Sequence, residues 1–123
     1  MNKKYLISGA VLGFLAVGLG AFGAHALKES LLAAGNLETY NTAVEYLFYH
    51  ALALLFTGIL TKEFDNKWNN YAGFAFLIGS IIFSGSLFLI CLTGVKTFGA
   101  VAPIGGTFLI LGWLSCLRSF LVN

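Results

Sequence analysis

Three ionisable side chains lie within long apolar stretches of this sequence, where they could hold a proton, a cation or a bound group. Glu45 and His50 stand five residues apart in one stretch, and His25 closes the stretch before it. Ionisable groups inside a bilayer are costly and usually face the protein interior, where they pair or line a pathway. These residues are therefore the first candidates for a functional site.

His25 and Glu45 are predicted to lie near the same external ends of their helices. A charge-assisted hydrogen bond between them would lower the cost of burying each group. Tyr49 lies one helical turn from Glu45, so the second helix could carry a polar network without any ligand. Such a set is either a structural polar lock or a binding site, and the spacing alone leaves both open.

His50 is the deeper of the two histidines. It lies about 13 Å along the second predicted helix, near the midplane, whereas Glu45 lies about 6 Å along it. At that depth His50 needs a partner such as Ser84, a proton path or a bound group. All the buried polarity is expected in the external half of the molecule. The predicted polar site comprises His25, Glu45, Tyr46, Tyr49, His50, Ser84 and Ser86.

Other chemical signatures are missing from the sequence. Cys91 and Cys116 are predicted at opposite depths, so they do not suggest a disulfide, and no Cys/His cluster has the spacing of a zinc site. The run that begins at Pro103 lacks the Lys-Ser/Thr ending of a phosphate-binding loop and is interpreted as a helix start. We expect no metal, no cofactor and no enzymatic activity.

Composition indicates the elements that must position these residues. Hydrophobic residues make up 59% of the 123-residue chain and charged residues only 10%, which exceeds what a soluble domain this short can bury. A transmembrane helix needs about 20 apolar residues. Four stretches qualify, and they predict an all-α, four-helix transmembrane bundle forming one domain over residues 1–123. The predicted helices cover about 5–26, 41–61, 71–92 and 101–121.

Charge placement predicts the orientation of the bundle. Lys and Arg flanking short loops favour the cytoplasmic side. Five basic residues share the side of the termini and two lie opposite, so both termini are expected in the cytoplasm. The net charge of +2 is scattered, which argues against nucleic-acid binding. The basic residues on the terminal side are Lys3, Lys4, Lys62, Lys67 and Arg118, and those opposite are Lys28 and Lys96.

The first stretch and the loop after it need separate interpretations. Lys3 and Lys4 before an apolar run, with Ala24-His25-Ala26 after it, resemble a signal peptide, but the run is longer than a signal core and is expected to stay as a helix. The loop that follows is predicted to hold a short interfacial helix over about residues 28–34, ended by Gly35.

Small residues recur at spacings of three or four and predict close helix packing, because lipid supplies no hydrophobic drive between helices. The first helix shows this spacing along one face, and the third and fourth helices repeat it. The glycines predicted to serve packing are Gly9, Gly13, Gly20, Gly23, Gly105 and Gly106.

Several motifs together closely resemble domain-of-unknown-function family 423, the YgdD/YwdK-like membrane proteins. They are Gly20-Ala21-Phe22-Gly23-Ala24-His25, Thr42-Ala43-Val44-Glu45-Tyr46 with His50-Ala51-Leu52-Ala53, Phe83-Ser84-Gly85-Ser86-Leu87, and Pro103-Ile104-Gly105-Gly106 with Gly112-Trp113. The resemblance covers nearly the whole chain. It implies a small, multi-pass inner-membrane protein of four helices, found in bacteria with relatives in mitochondria, and supplies no mechanism.

Three classes of function remain at this point. The first is a non-enzymatic binding or accessory protein whose partners are the lipid bilayer and either further copies of itself or a larger membrane complex. The second is a small proton- or cation-linked transporter or channel that uses Glu45 and His50. The third is a metal, haem or quinone site, or a small membrane enzyme, built on His25, Glu45 and His50. A fully apolar cavity between the helices would instead indicate bound lipid or quinone.

Overall fold

The computed structural model describes residues 2–122, and within that range the chain is helical with no β-strand. Four of its helices are long and apolar enough to cross a membrane. The helices are α1 (Lys3–Ala24), α2 (Lys28–Ala33), α3 (Leu37–Leu60), α4 (Lys67–Thr93) and α5 (Ala102–Leu121), with a 3-10 segment at Lys96–Ala100.

The four long helices pack in chain order. The helix α1 lies against α3, α3 against α4, and α4 against α5, so α3 and α4 form the centre and α1 and α5 the outside. The start of α1 and the end of α5 therefore lie at one end of the bundle, which we call the termini end. The opposite end carries α2 and the 3-10 segment. The prediction of a four-helix transmembrane bundle is confirmed.

Two helices begin four residues earlier than predicted, because residues predicted to lie in loops form their first turns. In α4, the Asn66 side chain accepts hydrogen bonds from the backbone N–H groups of Trp68 and Asn69 at 3.0 and 3.2 Å, which caps the helix at Lys67. In α3, the first turn starts at Leu37 directly after the reversal at Gly35, whose φ is 73°. The extra turn of α3 changes which residues of α1 it can meet.

The predicted packing glycines do not all pack equally closely. A Cβ added at Gly9 would lie 2.8 Å from the carbonyl oxygen of Ala51, and one at Gly23 would overlap the Tyr40 ring. One at Gly20 would lie 3.2 Å from Val44 Cγ1. These three positions bring α1 against α3 with little room to spare.

Three further glycines show the same contrast. A Cβ at Gly105 would overlap the backbone of Phe83, whereas the neighbouring Gly106 would place one 3.7 Å from the Phe83 ring. A Cβ at Gly13 would be 3.8 Å from Ala51 Cβ. Gly106 and Gly13 thus have ordinary van der Waals room.

The expectation that buried polarity is confined to the external half is wrong. At the termini end, the buried Asn69 side chain donates to the Thr57 carbonyl at 3.3 Å and to the Thr61 hydroxyl at 3.1 Å. The Asn66 amide donates to the Ser119 carbonyl at 3.1 Å. The sequence placed Asn69 in a loop, but the early start of α4 turns it into the bundle, where it joins α4 to α3.

Candidate functional site

His50 lies near the middle of α3 and is 5% exposed. Its Nδ1 atom is 2.8 Å from the carbonyl oxygen of Tyr46, one turn earlier in the same helix. Its Nε2 atom is 3.0 Å from the indole Nε1 of Trp113 on α5. Both ring nitrogens are therefore engaged inside the protein.

These two hydrogen bonds define the protonation state of His50. The Tyr46 carbonyl oxygen can only accept a hydrogen bond, so Nδ1 of His50 must carry a hydrogen. The Trp113 indole N–H can only donate, so Nε2 of His50 must be unprotonated and act as the acceptor. The ring is therefore neutral, and a proton added to Nε2 would oppose the Trp113 N–H donor. This arrangement holds α3 and α5 together across α4 and leaves neither nitrogen free for a ligand.

Aromatic rings surround the His50 imidazole. The ring centres of Phe76 and Trp113 are 5.7 and 5.9 Å from its own, and that of Tyr46 is 6.2 Å away in a stacked arrangement. Phe76 and Trp113 also contact each other edge to face at 4.9 Å. Such contacts add to apolar burial and fix the orientation of the imidazole.

The predicted serine partners of His50 serve other bonds. The Ser84 hydroxyl donates to the carbonyl oxygen of Ala43 at 2.8 Å and so joins α4 to α3. The Ser86 hydroxyl donates to the Phe83 carbonyl of its own helix at 2.8 Å. Among residues 2–122, the hydroxyl of buried Ser80 has no hydrogen-bond partner. The suggested Ser84–His50 pair is therefore wrong, and Trp113 takes its place.

His25 and Glu45 form no ion pair or hydrogen bond, contrary to the suggested contact. The reason is the register of α1 on α3, in which Gly23 lies opposite Tyr40 and Gly20 opposite Val44. Glu45 is therefore level with residues near 18 and 19 of α1, and His25 lies roughly 10 Å further along the axis. Both side chains are exposed on the outside of the bundle.

Glu45 lies instead in a shallow groove on the outer face of α1 and α3. The groove has a volume of about 290 Å³, and apart from Glu45 and Tyr49 its lining is apolar. Tyr49 is 52% exposed, and its ring contacts that of Tyr46 at 5.9 Å. Within residues 2–122, neither the Glu45 carboxyl nor the Tyr49 hydroxyl makes a hydrogen bond. We call this surface the Glu45 face; it is lined by Ala16, Val17, Gly20, Val44, Glu45, Phe48 and Tyr49.

A second groove lies between α3 and α5, which both pack on α4. It has a volume of about 200 Å³, with Phe76 at its base and Trp113 among its walls. Thr57 also lines it, but its hydroxyl donates to the carbonyl of Ala53 at 2.8 Å. The groove therefore presents apolar surface to the surrounding lipid.

The residues with metal-binding potential are dispersed. Across the described range, no three His, Cys, Asp or Glu side chains come together as a metal site would require. Cys91 and Cys116 are free thiols on α4 and α5. The structure thus divides the predicted polar site into an internally bonded part at His50 and an outward-facing part at Glu45 and Tyr49.

Sequence reasoning missed Trp113, which contributes the hydrogen-bond donor to His50. In the sequence, Trp113 stands out only as part of a family motif. An indole N–H in the middle of an apolar helix needs a hydrogen-bond acceptor, and this requirement is the feature of the sequence that indicates a polar partner for Trp113. Pairing it with His50 needs the three-dimensional arrangement of α3, α4 and α5, which the spacing along the chain does not contain.

Comparison with known proteins finds similarity over nearly the whole chain. The family model described as "Protein of unknown function (DUF423)" matches residues 19–106. A UPF0382 membrane protein of Staphylococcus saprophyticus is 42% identical over 114 residues, covering 91% of this chain and 92% of the relative.

Similar relatives occur in more distant bacteria. The UPF0382 membrane protein YwdK of Bacillus subtilis is 38% identical over 113 residues, covering 91% of each chain. A UPF0382 membrane protein of Haemophilus influenzae is 37% identical over 115 residues, covering 94% of this chain and 91% of the relative. No solved structure matches the chain.

Proposed function

Since the chain belongs to the DUF423 family of membrane proteins, whose function is unknown, we propose that it is a non-enzymatic accessory protein that binds another membrane-spanning helix through the Glu45 face. The observation that carries this proposal is the Glu45 carboxyl, which lies in the outer face of a membrane span without a partner in the described chain. An intramembrane ionisable group normally has a partner. A helix carrying a hydrogen-bond donor would supply one.

The shape of the Glu45 face supports the same role. Gly20 and Ala16 give the groove a floor of small residues, next to the exposed Phe48. Small residues let the backbones of two membrane helices approach, and packing is what drives helix association in lipid. The groove thus combines a close-packing surface with one directional polar group.

The geometry favours binding over a proton or cation relay. Glu45 and His50 are five residues apart, which turns their side chains roughly 140° from each other around α3. His50 faces the interior with both nitrogens bonded, whereas Glu45 faces outward. A proton or cation passing between Glu45 and His50 would have to cross from one side of α3 to the other. It would also have to break the hydrogen bond between His50 and Trp113.

Photocrosslinking in intact membranes tests the proposed function. A benzophenone side chain replaces Val17, which lines the Glu45 face and is 63% exposed. The matched control replaces Ile110, which is also 63% exposed but lies on α5. Both positions lie about two turns from the opposite end of the bundle, so they sample the same depth.

We expect an adduct from position 17 with a membrane-spanning chain identified by mass spectrometry. The adduct should be lost in Glu45→Met, which keeps the side-chain length and removes the carboxyl, and retained in Glu38→Gln, which removes a carboxyl from the first turn of the same helix. No adduct at position 17, or equal adducts from positions 17 and 110, would overturn the proposal.

The proposed location is the inner membrane of a bacterium, with both termini in the cytoplasm. Five basic residues lie at the termini end and two at the opposite end, which is the asymmetry that keeps a helix end in the cytoplasm. The groove between α3 and α5 would then be filled by bilayer lipid and needs no dedicated ligand.

A further inference from the structure

The Glu45 face contains two polar groups of complementary chemistry that have no partner in the described part of the chain. The Glu45 carboxyl accepts hydrogen bonds and the Tyr49 hydroxyl donates one, yet the two do not bond to each other. Both lie on the exposed side of α3 within the apolar span. An unsatisfied polar group is costly in lipid, so both require a partner from outside the chain.

We infer that the occupant of the Glu45 face is a second copy of this chain, joined by reciprocal hydrogen bonds from Tyr49 of each copy to Glu45 of the other. This inference rests on the proposed function and names its partner. Two copies inserted in the same orientation are related by a two-fold axis along the membrane normal. Such an axis brings the same patch of each copy together, so a contact from Tyr49 to Glu45 occurs twice.

The heights of the two residues fit this arrangement. Tyr49 lies one turn beyond Glu45, about 6 Å along the axis of α3. Both side chains lean toward the N-terminus of the helix, but the tyrosine hydroxyl lies farther from its backbone than the glutamate carboxyl does, so the lean brings the hydroxyl closer to the level of the carboxyl. Across parallel helices, the donor of one copy therefore meets the acceptor of the other.

A second copy fits the face better than a single basic helix does. A helix carrying one Lys or Arg would satisfy the carboxyl but would leave the Tyr49 hydroxyl, which needs an acceptor, without one. A second copy supplies the acceptor and the donor together. The surface around them is also open to approach, since Val17, which lines the Glu45 face beside them, is 63% exposed.

The test is an association constant measured by energy transfer between donor- and acceptor-labelled full-length chains in phosphatidylcholine–phosphatidylglycerol vesicles. The variants are Glu45→Met, Tyr49→Phe and the double variant. Glu45→Gln serves as a rescue because its amide oxygen still accepts a hydrogen bond. The matched control is Tyr71→Phe, which removes the hydroxyl of a tyrosine with similar exposure, 49%, on α4.

We expect the wild-type chain to dimerise and each single variant to weaken the dimer by about tenfold, because each removes both reciprocal bonds. The double variant should be no weaker than either single one, since the two groups bond each other. Glu45→Gln should restore most of the affinity, and Tyr71→Phe should leave it unchanged. All variants should keep the helical circular dichroism spectrum, because the altered groups face outward.

A monomeric wild-type chain, or a dimer that tolerates both Glu45→Met and Tyr49→Phe, would overturn the inference. A monomeric purified chain together with a Glu45-dependent crosslink from position 17 to a different protein would overturn the second copy as occupant and leave the proposed function standing. Loss of the crosslink as well would overturn both.

Discussion

His50 and Glu45 lie five residues apart on α3, but within the described chain only the His50 side chain has hydrogen-bond partners. The imidazole of His50 has a carbonyl on one nitrogen and an indole N–H on the other. The carboxyl of Glu45 makes no hydrogen bond within residues 2–122, and it faces outward. His50 therefore stabilises the fold, whereas Glu45 has no such role to explain its presence in the apolar span.

We predict that Trp113→Phe lowers the free energy of unfolding by about 1–2 kcal/mol, because it keeps an aromatic ring but leaves Nε2 of buried His50 without a donor. Equilibrium unfolding in mixed detergent micelles, followed by circular dichroism, measures this. The control is Trp68→Phe. Its ring contacts Lys67 and Arg118 at the surface, at 5.4 and 5.5 Å, and a phenyl ring preserves part of that contact. Equal losses in the two variants would contradict the assigned role of the indole N–H.

At the scale of the helices, close contacts are concentrated at particular glycines, and the spacing of small residues only partly identifies them. Gly105 and Gly106 belong to the same motif, but only Gly105 lies against the backbone of α4. Likewise Gly9 meets the backbone of α3 at Ala51, while Gly13 retains ordinary room. A periodic pattern marks the face of a helix, whereas the crossing point depends on how its neighbour is placed.

We predict that Gly105→Ala costs about 1–3 kcal/mol, since its methyl group would meet the Phe83 backbone, with Cα 2.7 Å away, and a backbone cannot rotate aside. The adjacent Gly106→Ala should be neutral or slightly stabilising, because its methyl group would have ordinary room and alanine favours helix. Melting temperatures of the two purified variants give the comparison. A tolerated Gly105→Ala would show that α4 and α5 are not held at this contact.

At the scale of the whole molecule, the fold could be predicted from the sequence because hydropathy and length set the spans. The candidate site could not be predicted in the same way, because it depends on the register of each helix against its neighbours. The sequence predicts a loop at Leu37 to Tyr40, where the structure has the first turn of α3, and this one-turn difference is why His25 is predicted beside Glu45. Asn69 is likewise predicted to lie in a loop, so its polar contacts at the termini end could not be predicted. The partner of His50 comes from a helix 63 residues away in sequence.

The charge asymmetry of the bundle predicts that both termini lie in the cytoplasm. Alkaline phosphatase, which is active only outside the cytoplasm, should be inactive when fused to the C-terminus and active when fused after Gly35, in the turn before α3. The reverse pattern would show that basic residues at the termini end do not determine the orientation of this chain.

The division of roles between Glu45 and His50 is tested most directly by the crosslinking yield from position 17 in membranes that contain Glu45→Met or Trp113→Phe at equal protein levels. We predict that Glu45→Met abolishes the adduct while the monomer stays as stable as wild type. Trp113→Phe should keep the adduct despite its lower stability. An adduct that survives Glu45→Met but disappears in Trp113→Phe would contradict the assignment of binding to the outer face and of stability to the interior.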